Sequence, residues 1–207
     1  AFESGQTKTD TFTAADGTAQ RADFMHKTED RASYVRGEGY TVAQLSFRGG
    51  ERMIFLLPDE GTALTPLLRG EAALADLFTD VYDSDEAQTA KLVWSVPKFD
   101  VNSDLELTDT LKMLGVTDAF DDTRADFSPL ADFAVPVAVT QVQHAARVKI
   151  DEEGCEAAAF TAIMAEATSA MPEDLPVVEM NLNRPFAFAI TGADGLPLFV
   201  GAVNTME

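Results

Sequence analysis

The sequence has a single cysteine, Cys155, which excludes an intrachain disulfide and any multi-cysteine zinc site. Positive charge is scarce as well. Only 15 Lys and Arg stand against 35 Asp and Glu, for a net charge of −20. Nucleic acid is thereby excluded as a partner, because phosphate contacts need clustered Lys and Arg. An anionic membrane surface is disfavoured by the same repulsion, and no apolar run approaches the roughly 20 residues that span a bilayer. The opening Ala1-Phe2-Glu3-Ser4 lacks the basic stretch and apolar core of a signal peptide. His26 and His144 are the only histidines and lie far apart, so no metal site and no cofactor are expected. No Gly-x-Ser-x-Gly elbow surrounds Ser33, Ser46, Ser95, Ser128 or Ser169, so a hydrolase triad has no support and no catalytic residue is assigned. What remains, at 46% hydrophobic and 24% charged, is a globular composition.

The first third reads as β-structure. Ala32–Arg36, Tyr40–Arg48 and Met53–Leu57 are strand candidates separated by Gly37-Glu38-Gly39 and Gly49-Gly50. Met53–Leu57 is continuously apolar, as in a strand buried on both faces. A short helix over Leu64–Leu68 and a longer one over Glu71–Tyr82 follow, the latter with Leu74, Leu77, Phe78 and Val81 on one face. Lys91–Val96 is a strand ended by Pro97, with Trp94 expected in the core. Asp109–Leu114 reads as a helix with Leu111 and Leu114 inward and Gly115 as its stop. Ala138–Ile150 is a further strand candidate, and residues 185–190 and 196–201 form a hairpin. The class is α+β, rich in antiparallel strands.

Residues 151–184 do not fit that plan. After the acidic turn Asp151-Glu152-Glu153-Gly154 comes Cys155-Glu156-Ala157-Ala158-Ala159, then an Ala-rich run to Ala170. By propensity the run is helical, but a period of two says otherwise. Cys155, Ala157, Ala159, Thr161, Ile163, Ala165 and Ala167 share one parity, and none is charged; Glu156 and Glu166 fall on the other. This is a strand pattern written in helix-forming residues.

Glu152-Glu153-Gly154-Cys155-Glu156-Ala157-Ala158-Ala159 resembles the hinge of the serpins, the serine-protease inhibitor family, whose form is Glu-Glu-Gly-Thr-Glu-Ala-Ala-Ala. Asn183-Arg184-Pro185-Phe186 is similar to the stretch after the family's reactive loop, and Leu198–Asn204 to its C-terminal strand. Met53–Gly61, Val96-Pro97-Lys98-Phe99 and Leu111–Val116 with Ala119-Phe120 resemble further serpin motifs in the right order. The chain matches only the C-terminal half of a family member. Residues 1–207 are thus expected to be the C-terminal portion of one serpin domain, with the reactive loop over about 151–182. The N-terminal half is an implied partner. Cys155 departs from the usual Thr or Ser, and Thr205 from the frequent Pro.

The resemblance implies a suicide-substrate inhibitor and not an enzyme: a serine protease attacks the loop, an acyl-enzyme forms, and the cut loop inserts into the main sheet. Gly154 supplies backbone freedom at the hinge formed by Glu153 to Ala159. In the family the hinge glycine lies fifteenth before the scissile bond, which points to Thr168-Ser169. Ala167-Thr168, Ala170-Met171 and Met171-Pro172 are neighbouring candidates. No Lys or Arg lies between Lys149 and Arg184, so an elastase- or subtilisin-type protease is the implied partner, not a trypsin-like one. Extracellular targets imply secretion, and an Ala- and Asp-rich, Lys-poor composition without a disulfide points to a prokaryotic source. A noninhibitory serpin, acting as a binding or chaperone-like protein, is the alternative.

Overall fold

The structure is a computed structural model that describes residues 2–131, 133–155 and 174–206. The chain divides into two compact units, one of residues 1–100 with 148–207 and one of residues 101–147.

The first unit is built on strands β1 (Lys8–Thr13), β2 (Ala19–Gly37), β3 (Tyr40–Ser46), β4 (Arg52–Pro58) and β5 (Gln88–Pro97). Helices α1 (Leu64–Leu67) and α2 (Glu71–Phe78) lie between β4 and β5. β6 (Phe99–Glu106) leads into the second unit, which holds α3 (Thr108–Met113), and β7 (Gln143–Asp151) leads back. β8 (Gly154–Cys155), β9 (Val177–Asn181), β10 (Phe186–Thr191) and β11 (Pro197–Val203) complete the order. One eight-stranded sheet runs β11-β10-β4-β3-β2-β5-β9, with β1 added to β2; a three-stranded sheet runs β6-β7-β8. Among the described residues of the larger sheet only the β5–β9 pair is parallel. β2 serves three neighbours along its length: β1 near its start, β5 through its middle, and β3 at its end.

The apolar run of β4 is buried on both faces, as its composition predicts. Ile54 and Leu56 pack with Leu64, Ala73 and Leu77 from the helices. On the other face Phe55 meets Trp94 and Phe186 at ring separations of 5.8 and 6.0 Å. Phe99 extends this cluster to Phe186 and Phe188. Each such side chain contributes on the order of 1.5–3 kcal/mol by leaving water. Trp94 is fully buried, and its indole donates to Glu29 at 2.8 Å. The Tyr40 hydroxyl donates to Asp76 of α2 at 2.7 Å; burial first, then Asp76, pushes its pKa well up.

Several expectations change. α2 ends at Phe78, and Val81 lies in a separate 3-10 turn. The helix buries Ala73 and Leu77 and leaves Phe78 exposed, because one short amphipathic stripe covers only part of its circumference. α3 stops as expected at Gly115, whose φ is 94°, but Leu114 is 76% exposed within the described residues. Strand structure begins at Gln143, not Ala138; residues 138–142 instead follow backbone bonds from Val139 to Ala119 and from Leu107 to Val142. β1, β6 and the first half of β2 are strands that hydropathy did not reveal.

Candidate functional site: the hinge and the return strand

β7 and β8 form a tight hairpin. Ile150 pairs with Cys155 and Asp151 with Gly154, so Glu152 and Glu153 occupy its tip. Gly154 closes the turn at φ 119°, a conformation that a side chain resists. The amide of Glu153 donates to the Asp151 carboxylate at 3.0 Å, fixing the acidic turn locally. Among the predicted hinge residues, Glu153, Gly154 and Cys155 are therefore placed. Glu156, Ala157, Ala158 and Ala159, and the proposed bond residues Thr168 and Ser169, lie outside the described residues.

Glu152 is the anchor of the turn. Its Oε1 accepts from the Thr7 hydroxyl at 2.7 Å, and its Oε2 lies 3.0 Å from Lys98 Nζ. The Thr7 bond first, and Lys98 second, hold its carboxyl below the usual range. Lys98 is in turn pushed up, chiefly by its bond to Glu152. The Lys98 amide donates to the Asp23 carbonyl of β2, so the clamp is tied to the large sheet through backbone as well. Sequence reading placed Lys98 and Glu152 in separate motifs and missed their contact and Thr7 altogether. Thr7 and Glu152 are 145 positions apart, and no local pattern encodes such a pair.

The described chain resumes at Asp174 and joins the other sheet. The Lys91 amide donates to the Pro176 carbonyl, and β9 then runs parallel to β5 from Lys91↔Val177 to Ser95↔Asn181. Trp94 is opposite Met180, both buried, so the return strand is pinned over the aromatic core. Residues 156–173 thus connect the β7–β8 hairpin to an edge strand of a different sheet. His144 lies on β7 and His26 on β2 opposite Ser95. Among the described residues no group of three His, Cys, Asp or Glu is disposed to hold a metal ion, and no helix is long and apolar enough to cross a membrane.

A family model described as "Serpin (serine protease inhibitor)" matches residues 1–206. The chain belongs to the serpin family. Among curated proteins this serpin is similar to Serpin-Z1B of Triticum aestivum, 32% identical over 210 residues, which cover 98% of the chain and 51% of that protein. Among solved structures it resembles the thermophilic serpin Tengpin in its native state, with a TM-score of 0.75 at 27% identity, over 99% of the chain and 51% of Tengpin. Serpin48 of the insect Tenebrio molitor shares the fold at a TM-score of 0.76 and 23% identity, over 100% of the chain and 52% of Serpin48. This serpin chain spans about half the length of the curated relatives it matches. Serpins as a family are protease inhibitors, not catalysts. The departure at Thr205 is accommodated locally, since its hydroxyl exchanges hydrogen bonds with the Gln20 amide group.

Proposed function

We propose that this chain is the C-terminal portion of a suicide-substrate inhibitor of serine proteases. One observation carries the reading: the register of the β7–β8 hairpin. If an inserted loop continued the Ile150↔Cys155 register, Ala157 would fall opposite Val148 and Ala159 opposite Ala146, with Glu156 opposite Lys149. Directly opposed residues share a face of an antiparallel pair. Val148 and Ile150 are the buried residues of β7, whereas Lys149 and Arg147 are not. The uncharged parity of the hinge is therefore the one that would enter the core, and Glu156 would meet Lys149 at the surface. A protease serine attacks the loop carbonyl, its acyl-enzyme forms, and the freed loop zips antiparallel onto β7 with the enzyme attached.

Thr168-Ser169 is the proposed scissile bond. A small residue there suits a shallow apolar specificity pocket of elastase or subtilisin type. Targets of that kind place the protein outside the cell, as a secreted inhibitor. The remaining half of the serpin fold is the proposed cover for β11, an edge strand whose Leu198 and Val200 are 55% and 60% exposed and whose sequence is apolar throughout.

The test uses the full-length protein with excess elastase or subtilisin, a denaturing gel, and intact masses of all products. A boiling-resistant species of summed mass, with a peptide released that begins at Ser169, is the expected result. Cleavage without any covalent complex, for proteases of elastase, subtilisin, chymotrypsin and trypsin type alike, would favour the noninhibitory binding or chaperone-like reading.

A further inference from the structure

Away from the hinge, a cleft of about 510 Å³ opens between the β1–β2 turn, the segment before α1, and the turn that joins β9 to β10. That volume is within the range of about 300–1,000 Å³ usual for small-molecule sites. Backbone bonds tie its walls together: the Thr13 amide donates to the Asn183 carbonyl and the Ala15 amide to the Asn204 carbonyl, both at 2.8 Å. Main chain thus holds the β1–β2 turn against the β9–β10 turn and the stretch after β11, and the Arg184 side chain links these to the end of β4.

Arg184 lines this cleft and is half-buried. Its Nε donates to the Pro58 carbonyl at 2.9 Å, and its Nη1 to Asn183 Oδ1 at 3.0 Å. The guanidinium plane is thus fixed from one side, while Nη2 has no acceptor among the described residues. The bond to Arg184 also orients the Asn183 amide, whose Nδ2 is left as a second donor. Two preset donors of this kind match a carboxylate.

Glu60 lines the same cleft. It makes no ion pair among the described residues, although it is close enough to act on Arg184 electrostatically. Its neighbour Asp59 is already engaged by Arg36 at 2.8 Å. A fixed cation and an unpaired anion therefore line one cleft without closing on each other, and Ala63, Leu64 and Pro185 supply apolar surface around them. A simple carboxylate would satisfy Arg184 and be repelled by Glu60. A zwitterion satisfies both.

We propose that this cleft binds a short apolar zwitterion, an amino acid or dipeptide, with its carboxylate on Arg184 and Asn183 and its ammonium on Glu60. The inference rests on the cleft alone and not on the reactive loop, so its failure would leave the protease-inhibitor reading untouched.

Titration calorimetry of the full-length protein with leucyl-leucine tests it, alongside N-acetyl-leucyl-leucine, which lacks the ammonium, and leucyl-leucinamide, which lacks the carboxylate. Binding of the zwitterion, with each blocked form weaker by about tenfold or more, is expected from loss of one charge-assisted contact. Arg184→Gln should abolish the preference for a free carboxylate, and Glu60→Gln the preference for a free ammonium. Glu60 and Ala63 are exposed, so Glu60→Gln and the cleft-filling Ala63→Phe remain decisive if Arg184→Gln misfolds. Absence of binding at millimolar leucyl-leucine overturns the proposal. So does equal binding of the blocked forms, or unchanged selectivity in folded Glu60→Gln together with unchanged affinity in Ala63→Phe.

Discussion

Lys98 Nζ lies 3.0 Å from Glu152 Oε2, joining the residue after β5 to the tip of the hinge hairpin, with the Thr7 hydroxyl on the other carboxylate oxygen at 2.7 Å. Because both partners favour the ionised carboxylate, the folded state prefers Glu152 as an anion. Its contribution is complete above the unfolded value of about 4.3 and disappears as pH falls through the lower folded value. Lys98 works in the opposite sense: its contribution is complete below about 10.4 and is lost as pH rises through its raised folded value. Hinge stability should be flat from about pH 5 to 10 and fall at both ends. Hydrogen exchange at the 151–155 turn measures this, and Glu152→Gln should remove the acid limb. Thr7→Val should cost on the order of 1–2 kcal/mol by denaturant titration, since the carboxylate loses a charge-assisted bond. A wild-type acid limb in Glu152→Gln would show that another group governs the hinge.

Gly154 has a second, backbone role in the same turn. At φ 119°, a side chain adds strain of about 1–3 kcal/mol. Gly154→Ala is expected to lower the unfolding free energy by that order and to weaken amide protection at Cys155. Unchanged protection would mean that the turn has another accessible conformation of similar energy.

Trp94 gives a built-in reporter, because it is the chain's one tryptophan and is fully buried opposite the return strand. Emission should be blue-shifted in the folded protein and move red in one step as β5 separates from β9. Trp94→Ala should cost about 3–5 kcal/mol through lost packing, with Phe55 keeping Phe186 but losing Trp94 as a ring partner. Fluorescence and circular dichroism melts that fail to coincide would show that β9 detaches before the core unfolds.

The net charge of −20 makes a prediction about salt. Like charges repel most in the compact state, and screening shortens their reach from about 30 Å at 0.01 M salt to about 8 Å at 0.15 M. The melting temperature should therefore rise over that interval in NaCl. A flat or falling curve would mean that surface pairs such as Arg36–Asp59 outweigh the repulsion.

The parts of the fold that were legible are those whose burial is written in local composition. Met53–Leu57 names itself as a two-sided strand, and the Asp151–Gly154 turn is marked by its glycine and acids. β1 was hidden because only Phe12 of its six residues is buried, so no alternation exists to be read. β6 was hidden for the same reason, with Phe99 alone fully covered. Phe78 and Leu114 misled in the other direction, since an apolar residue at helical spacing does not reveal how wide a stripe the neighbours cover. At the hinge the motif was legible and its anchoring was not: Thr7 precedes β1 and Lys98 follows β5, two strands that both pair with β2, and Glu152 reaches them from the tip of the β7–β8 hairpin.

The insertion register offers the sharpest substitution test. If the loop zips onto β7 as proposed, Ala157 enters the core opposite Val148, whereas Ala158 emerges opposite Arg147. A lysine at the first position would have to be buried without a partner, at several kcal/mol, and a glutamate at the second would stay in water beside a cation. In the full-length protein, Ala157→Lys should turn the inhibitor into a substrate, cleaved at Thr168-Ser169 with little trapped enzyme, while Ala158→Glu should trap nearly as well as the parent. The ratio of complex to cleaved serpin on a denaturing gel reads both. Equal loss in the two variants would show that charge anywhere in the hinge is disruptive, and the opposite order would place the strand one residue out of the proposed register, because a single-residue slip exchanges the two faces.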